Sequence, residues 1–412
     1  MAKRNTIVGL DVGSTKVAAI VGQVMEDGHI NIIGLGQTPS LGIRKGMVVD
    51  IEATAKAIRS AVEKAEQMSG IEIESAFVSI GGPHIACSRN RAVVAVSRED
   101  QEISSEDTQR VLQAAKLIPL SPDRRVIHVL PCHYTVDGYG GIVDPVGMYG
   151  NRLEVESQII TGASNAVQNL LKSVYKGGVE VQELVASSLA TAEAVLMPAE
   201  RELGVVLVDI GGGTSDIAIF HEGSLWFATV LPVGGSYLTS DLAVGLRTPL
   251  SEAERLKQEH GTVLVSETSD ADFVEVPSIG MQERRQVSLK MVASILEPRA
   301  QEICGLIKQE LQRSGYGELV PGGIVLTGGV SQTRGLADLL ARDLNLPVRL
   351  GRPVDVGGLA DMVNLPSLAT ACGLVVYGAQ RSSQLHLTNE KHSSLGRMWD
   401  KISSWFRELI SV

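Results

Sequence analysis

Two stretches of the chain share one order of apolar and polar positions: an apolar strand, an aspartate, a run of small residues and a second apolar strand. The first stretch covers residues 7–21 and the second covers residues 205–220. Short apolar runs bounded by glycine are typical of buried strands joined by a tight turn. The pattern therefore predicts two β-hairpins of common design.

The turn of each hairpin has the composition of a phosphate-binding loop. Glycine reaches positive φ without a Cβ clash, so consecutive N–H groups can converge on phosphate oxygens, and hydroxyl and ammonium groups add donors. The residues expected to bind phosphate are Gly13, Ser14, Thr15 and Lys16 in the first loop and Gly211, Gly212, Gly213 and Thr214 in the second. A single such turn is common in ordinary proteins, but two copies in matching strand contexts favour a nucleotide site.

An aspartate precedes each loop, Asp11 in the first and Asp209 in the second. Because like charges repel, the two carboxylates are poorly placed to touch phosphate and well placed to hold Mg²⁺ through water. A third apolar strand ends in a glycine turn at Gly328, Gly329 and Val330, and a helical run follows from about 333 to 343. Together these features predict one nucleotide with its magnesium ion.

Two further regions have readable patterns. Apolar residues at helical spacing predict an amphipathic helix over 51–68, and a strand follows at 75–80. From about 84 to 160, strand patterns at 91–96, 126–136 and 153–159 alternate with a helical run at 106–118 that Ser104 or Ser105 could cap. We expect this region to be an inserted subdomain.

Composition excludes several classes of protein. A chain of 412 residues exceeds one core, so two large lobes, each with a smaller subdomain, are expected. With 47 acidic and 37 basic residues the net charge is −10, which argues against binding nucleic acid through a basic surface. The four cysteines lie far apart, so neither a zinc site nor a disulfide framework is expected. Neither a signal peptide nor a membrane-spanning helix is expected.

The last residues form a strongly amphipathic segment that holds two of the three tryptophans. One face is apolar at helical spacing. Its residues are Leu395, Met398, Trp399, Ile402, Trp405, Phe406, Leu409 and Ile410. Because aromatic rings with polar edges favour the membrane interface, a helix over 395–412 is expected to lie in the headgroup plane.

The polar residues 381–394 before this helix are expected to be a flexible linker. The alternative is a terminal helix that packs back on the protein or on a partner. Half-burying eight large side chains contributes roughly 6 to 10 kcal/mol, and ordering the helix offsets much of that. A single anchor is therefore expected to be reversible, and attachment to be firm only when the protein self-associates.

Residues 11–16, 209–214 and 326–330 resemble, in order and spacing, the two phosphate loops and the adenosine loop of the actin, Hsp70 and sugar-kinase superfamily. The resemblance implies an α/β, actin-like fold with two lobes around ATP. Glu254 and Lys257 resemble the helical pair with which Hsp70-like members hold adenosine. The same i, i+3 spacing also suits an ordinary surface salt bridge, and both interpretations stay open.

Residues 44–51, 144–148 and 150–154 resemble signatures of the bacterial division protein family FtsA, and the similarity extends over the whole chain. The resemblance implies a protein that polymerises on the inner face of the cytoplasmic membrane and binds the C-terminal tail of FtsZ. The insertion would contact neighbouring protomers and later division proteins. Pilus-assembly proteins of the PilM type are the nearest alternative, and the amphipathic tail argues against them.

In this family the FtsZ tail docks on the small subdomain of the second lobe, where Arg285 and Arg299 match basic positions; the alternative is solvated surface charge. The predicted organisation is a first lobe at 1–83, 162–200 and 365–380, an insertion at 84–161, a second lobe at 201–237 and 303–364, its small subdomain at 238–302, the linker and the terminal helix.

Turnover of ATP is expected to be weak. Actin and Hsp70 use a Glu or Gln between the two halves to orient water, and residues 184–190 have no such side chain. ATP is therefore expected to act as a conformational cofactor. A sugar kinase would need a dedicated catalytic base and a chaperone would need a peptide-binding domain, and neither alternative explains the amphipathic tail.

Overall fold

The computed structural model describes residues 6–97, 100–278 and 284–391. The first part of the chain forms β1 (Thr6–Val12), β2 (Lys16–Val24), β3 (Ile30–Pro39), β4 (Ile43–Arg44), β5 (Met47–Val48), α1 (Ile51–Ser69) and β6 (Ser75–Ile80). The predicted first hairpin is confirmed, because β1 and β2 pair antiparallel on either side of the glycine turn. Helix α1 begins after Asp50, whose carboxylate accepts the Ala53 N–H at 3.0 Å, and ends at Gly70 with φ 69°.

The inserted region is a four-stranded sheet with one helix. Its elements are β7 (Ala86–Ala95), α2 (Ser105–Ala115), β8 (Arg124–Val136), β9 (Tyr139–Ile142) and β10 (Arg152–Ala163), with strand order β7-β10-β8-β9. The predicted helix is present, and its cap is Ser104, which exchanges hydrogen bonds with Asp107. Val111 of the helix packs on Leu153 and Val155 of the sheet, which gives the insertion a core of its own.

The chain then returns to the first lobe through α3 (Ser164–Lys176), β11 (Glu180–Ala186), α4 (Ser187–Val195) and α5 (Pro198–Leu203). Strand β11 pairs parallel with β6, which pairs parallel with β1. The first sheet therefore has a central hairpin with parallel strands added on the side of β1. Apolar side chains of β1 and β2 are buried on both faces of the sheet, as expected for a layer covered by helices.

The second lobe repeats this arrangement. Its elements are β12 (Val205–Ile210), β13 (Ser215–His221), β14 (Ser224–Leu231), α6 (Gly235–Gly245), α7 (Leu250–His260), β15 (Phe273–Pro277), β16 (Arg284–Ser288), α8 (Leu289–Ser314), β17 (Ile324–Thr327), α9 (Leu336–Leu344) and β18 (Val348–Leu350). The sheet order is β14-β13-β12-β17-β18, with β12 and β13 antiparallel and β12 and β17 parallel. The second hairpin and the third strand are thus confirmed, in the same relation as β1, β2 and β6.

Helices α6, α7 and α8 and the β15–β16 hairpin share one core with this sheet. The insertion also reaches this lobe. Arg89 of β7 lies over the ring of Trp226 in β14, at 4.8 Å from the centroid, and Ser224 donates a hydrogen bond to the Cys132 carbonyl of β8 at 3.1 Å. The insertion therefore contacts the second lobe as well as the first.

In the last part of the chain, the structure differs from two of the predicted boundaries. It forms β19 (Val356–Gly358), α10 (Ala360–Val363) and α11 (Ala369–Lys391). Strand β19 pairs parallel with β3, so it extends the first sheet, although the predicted boundary at 364 assigned it to the second lobe. The pairing of β19 with β3 is a long-range contact, and the sequence of the three residues in β19 does not predict it.

Helix α11 packs on α4 and on β1 of the first lobe, and a Cβ at Gly373 would overlap the Ala190 carbonyl, so the glycine permits the close approach. The helix continues to Lys391, whereas the sequence analysis predicted a flexible linker from 381. Residues 381–391 are polar but contain no glycine or proline to end the helix. The amphipathic segment 395–412 lies outside the described residues. In the described part of the chain, no helix is both long and apolar enough to cross a bilayer.

Candidate functional site

A cleft of about 1080 Å³ separates the two lobes, and both hairpin turns open into it. Every residue predicted to bind the nucleotide lines this cleft. They are Asp11, Gly13, Ser14, Thr15, Lys16, Asp209, Gly211, Gly212, Gly213, Thr214, Glu254, Lys257, Gly328, Gly329 and Val330. The fold thus brings together segments that are far apart in the sequence.

The two glycine loops have matching backbone geometry. The Gly13 N–H donates to the Lys16 carbonyl at 3.0 Å, and the Gly211 N–H donates to the Thr214 carbonyl at 2.9 Å. The loops also face each other closely, because a Cβ at Gly213 would lie 2.5 Å from the Ser14 Oγ. Glycine is therefore required in the second loop by the approach of the first.

Each aspartate is held by hydroxyl groups. Ser79 of β6 donates to Asp11 Oδ1 at 2.7 Å, while Thr191 of α4 and Thr370 of α11 donate to Asp209 Oδ2 at 2.9 and 3.2 Å. Burial raises the pKa of Asp11, and burial together with the nearby Asp11 raises the pKa of Asp209 to about 6. Both carboxylates therefore lie in an environment that disfavours their charge.

Asp216 is a third carboxylate in the cleft, and the sequence analysis missed it. It pairs directly with Asp209 across the β12–β13 ladder, and it is 7% exposed. Burial, followed by the charges of Asp209 and Asp11, raises its pKa well above the ordinary value. An acidic residue at the start of an otherwise apolar strand was the signal that could have identified it.

Lys16 is a cation whose charge acts on Asp11 and Asp209. Burial lowers its pKa, and attraction to Asp11 and Asp209 acts in the opposite direction. Three carboxylates against one ammonium leave an excess of negative charge. Among the described residues, no group of three or more His, Cys, Asp or Glu side chains is arranged to enclose a metal ion. Asp11 and Asp209 line the cleft with carboxylate oxygens, the kind of ligand that Mg²⁺ binds directly or through water.

The third glycine turn forms another wall of the cleft. Gly328 has φ 87°, and a Cβ there would overlap the Asp209 carboxylate. Close to this turn lie Glu254 and Lys257 of α7, which form a salt bridge of 2.6 Å, and Lys257 also donates to Thr239 Oγ1 at 2.9 Å. The pair forms the i, i+3 salt bridge and also lines the cleft, and its contact with adenosine stays a prediction.

The two arginines predicted to bind a partner lie outside the cleft. Arg285 is exposed on β16 and donates to the Leu246 carbonyl. Arg299 of α8 forms an ion pair with Asp241 at 2.6 Å and another with Glu302, and its side chain is 26% exposed. Arg299 is therefore a partly buried, ion-paired side chain and not a solvated surface charge.

The stretch 184–190 runs from the end of β11 into α4, where Ser187 borders the cleft. Residues 184–190 contain neither Glu nor Gln. The residues that face the cleft near this point are Ser187 and Asp216.

Comparison with solved structures identifies several chains of the same actin-like fold. The PilM-PilN type IV pilus biogenesis complex matches with a TM-score of 0.65 and 17% identity, over 90% of this chain and 98% of that chain. MreB5 of Spiroplasma citri bound to ADP matches with a TM-score of 0.56 and 13% identity, over 93% and 99%. At these identities the similarity shows the fold alone, so the likeness to PilM does not carry a pilus function.

Sequence comparison is more specific. The family profile described as "Cell division protein FtsA" matches residues 206–373, and "SHS2 domain inserted in FTSA" matches residues 82–161. The chain is 44% identical over 377 residues to the cell division protein FtsA of Pseudomonas aeruginosa, covering 92% of this chain and 90% of the relative. It is 38% identical over 414 residues to that of Escherichia coli (strain K12), covering 98% of each. Nearly full-length relatives and an actin-like fold agree, and the chain belongs to the FtsA family of cell division proteins.

Proposed function

We propose that this chain binds ATP with Mg²⁺ between its lobes, assembles into filaments on the inner face of the cytoplasmic membrane at the division site, and links the C-terminal tail of FtsZ to that membrane. It would also help to recruit later division proteins. The observation that carries the proposal is the meeting of two matched glycine hairpins, each with its aspartate, in one cleft of an FtsA-family chain.

The cleft suits a nucleotide in both shape and charge. The amides of Gly212 and Gly213, the hydroxyls of Ser14 and Thr15 and the ammonium of Lys16 would be donors for phosphate oxygens. When bound, Mg²⁺ would supply the positive charge that Asp11 and Asp209 lack. The third glycine turn and the Glu254–Lys257 pair, on the far wall, are placed for the adenosine.

Turnover in this cleft would be slow. No carboxamide or glutamate side chain comes from 184–190 to orient a water molecule. Asp216 lines the cleft near Ser187 and would be the carboxylate there that could accept a proton. Binding itself would still favour a closed arrangement of the lobes, and a filament would select that arrangement.

Membrane attachment is assigned to the amphipathic segment 395–412. Its stripe of eight apolar residues includes Trp399 and Trp405, while the polar face has mixed charge. Helix α11 ends at Lys391, and the segment follows it closely in the sequence. A weak anchor of this kind becomes firm when filaments present many copies to one bilayer.

Partner contacts are assigned to two surfaces. The C-terminal tail of FtsZ would meet Arg285 and Arg299 on the small subdomain of the second lobe. The insertion exposes Tyr139, Val143 and Tyr149, with exposed fractions of 80%, 84% and 71%. An apolar patch of this kind supports contacts with a neighbouring protomer or with later division proteins.

The whole proposal is tested by electron microscopy of the purified full-length protein on a lipid monolayer, with and without MgATP. Filaments that form on the lipid in the presence of MgATP are the expected result. Nucleotide-dependent filaments that leave the lipid bare would remove the anchor from the proposal. Absence of any assembly in either condition would contradict the filament function.

A further inference from the structure

The β4–β5 hairpin of the first lobe lies against both glycine loops. Its turn residues Lys45 and Gly46 have φ of 50° and 72°. The Gly46 N–H donates to the Ser14 Oγ at 2.9 Å, and a Cβ at Gly213 would lie 3.2 Å from the Lys45 backbone nitrogen. A lysine at positive φ is uncommon, and here the conformation holds the hairpin between the two loops.

The side chain of Lys45 reaches from the first lobe to the second. Its Nζ lies 5.3 Å from the ring centroid of Tyr237, a residue of α6 in the second lobe. This is within the range of a cation–π contact. The Arg299 guanidinium lies 5.4 Å from the same centroid and is fixed in turn by Asp241. One tyrosine ring therefore joins a cation of the first lobe to a cation of the second.

We propose that the Lys45–Tyr237 contact is a clasp that favours the closed cleft over a bound nucleotide and couples closure to Arg299. The contact needs the two lobes to be near each other, so it stabilises the closed arrangement and is lost when the cleft opens. Arg299 packs on the same ring from within the second lobe, so opening removes the Lys45 contact that holds the ring and leaves the ring freer to move against the guanidinium. The inference rests on the proposed nucleotide site and partner site and adds the connection between them.

The coupling gives the hairpin a regulatory role. A ligand that closes the cleft would order Arg299 toward the peptide site, and an acidic peptide bound at Arg299 would favour closure in return. An exposed cation–π contact changes such an equilibrium about two- to fivefold. Lys45 and Tyr237 are positioning residues here, because they act on the ligand through the lobe arrangement.

The experiment measures the dissociation rate of a fluorescent ADP with Mg²⁺ from the full-length protein. Lys45→Ala and Tyr237→Leu are each expected to raise the rate about two- to fivefold, and the double variant no further than the stronger single one. Lys45→Arg and Tyr237→Phe keep the cation and the ring and are expected to match the wild type. Arg44→Ala removes an exposed cation from the same hairpin and serves as the control. In the same series, MgADP is expected to strengthen binding of an FtsZ-tail peptide in the wild type and less so in Tyr237→Leu.

Additive effects of Lys45→Ala and Tyr237→Leu, or a rate equal to that of Arg44→Ala, would overturn the clasp. A nucleotide effect on peptide affinity that is equal in Tyr237→Leu and Tyr237→Phe would overturn the coupling. A wild type that binds no nucleotide would instead refute the proposed function. In that case the clasp is tested separately by measuring amide hydrogen exchange at Gly46 without nucleotide. Faster exchange in Tyr237→Leu than in Tyr237→Phe supports the clasp. Equal exchange in the two variants overturns it.

Discussion

Gly212 of the second loop lies directly against Thr15 of the first, so that a Cβ at position 212 would fall 2.7 Å from the Thr15 Oγ1. The two loops therefore meet at van der Waals contact across the cleft, and the second loop has no room for a side chain at this point. Because the two loops are in contact, each one limits the position of the other.

Gly212→Ala is expected to separate the loops and to lower ATP affinity about tenfold or more, since charge-assisted hydrogen bonds to phosphate contribute roughly 1.5 to 3 kcal/mol each. The matched control is Gly305→Ala in α8, where a Cβ would meet nothing within 4 Å. Titration calorimetry measures both. Equal affinity in the two variants would contradict the close approach of the loops.

Asp209→Asn is expected to stabilise the nucleotide-free protein at pH 7. The folded pKa of Asp209, about 6, exceeds its ordinary value of 3.8, so the stability that the protonated form contributes is lost as the pH rises through that range. Asparagine keeps an oxygen for Thr191 and Thr370 and carries no charge. The gain is expected to reach about 1 to 3 kcal/mol at pH 7 and to shrink toward pH 4. Urea unfolding at several pH values checks it, and a variant less stable than the wild type at pH 7 would count against it.

Lys257→Met is expected to lower nucleotide affinity about tenfold, because the variant keeps the apolar stem and removes a buried ammonium that faces the cleft. The control is Arg255→Met on the same helix, which removes the i, i+3 salt bridge to Glu252. Affinity measurements separate the two interpretations of this helix. If both variants bind as the wild type does, the Glu254–Lys257 pair is a structural salt bridge only.

Replacing Trp399 and Trp405 with glutamate, or deleting 395–412, is expected to release the protein from liposomes. Charges on the apolar face oppose burial at the interface. Ser403→Glu adds a charge to the polar face of the same segment and is expected to bind lipid nearly as the wild type does. Sedimentation with vesicles measures the bound fraction. Unchanged sedimentation of the double tryptophan variant would refute the membrane assignment.

Arg285→Glu is expected to weaken binding of an FtsZ-tail peptide about tenfold while leaving stability nearly unchanged, because the side chain is exposed. Arg299→Glu is expected to weaken both binding and stability, since it places a carboxylate beside Asp241 and Glu302. Fluorescence anisotropy gives the affinity, and urea unfolding gives the stability. A peptide affinity unaffected by Arg285→Glu would remove that residue from the partner site.

Local pattern was sufficient for the hairpins, the helix after Asp50, the insertion's helix and the glycine loops, because each is encoded by contiguous residues. Asp216 was missed since its role comes from pairing with Asp209 across the ladder. The position of β19 depends on a partner strand more than 300 residues earlier in the chain. Tyr237 could not be assigned from sequence either, because its two cations come from separate lobes. Residues 381–391 were predicted as a linker from polarity alone. They form the end of α11 instead, because they include no glycine or proline that would stop the helix.

The most direct test of the central claim is titration calorimetry of the wild-type protein with ATP, with and without Mg²⁺. One site per chain is expected, tighter with Mg²⁺, and tighter binding with Mg²⁺ is expected to disappear when Asp11 and Asp209 are both replaced by asparagine. Absence of heat with the wild type, or affinity that is independent of Mg²⁺, would contradict a cleft built by two hairpins around one nucleotide and its metal.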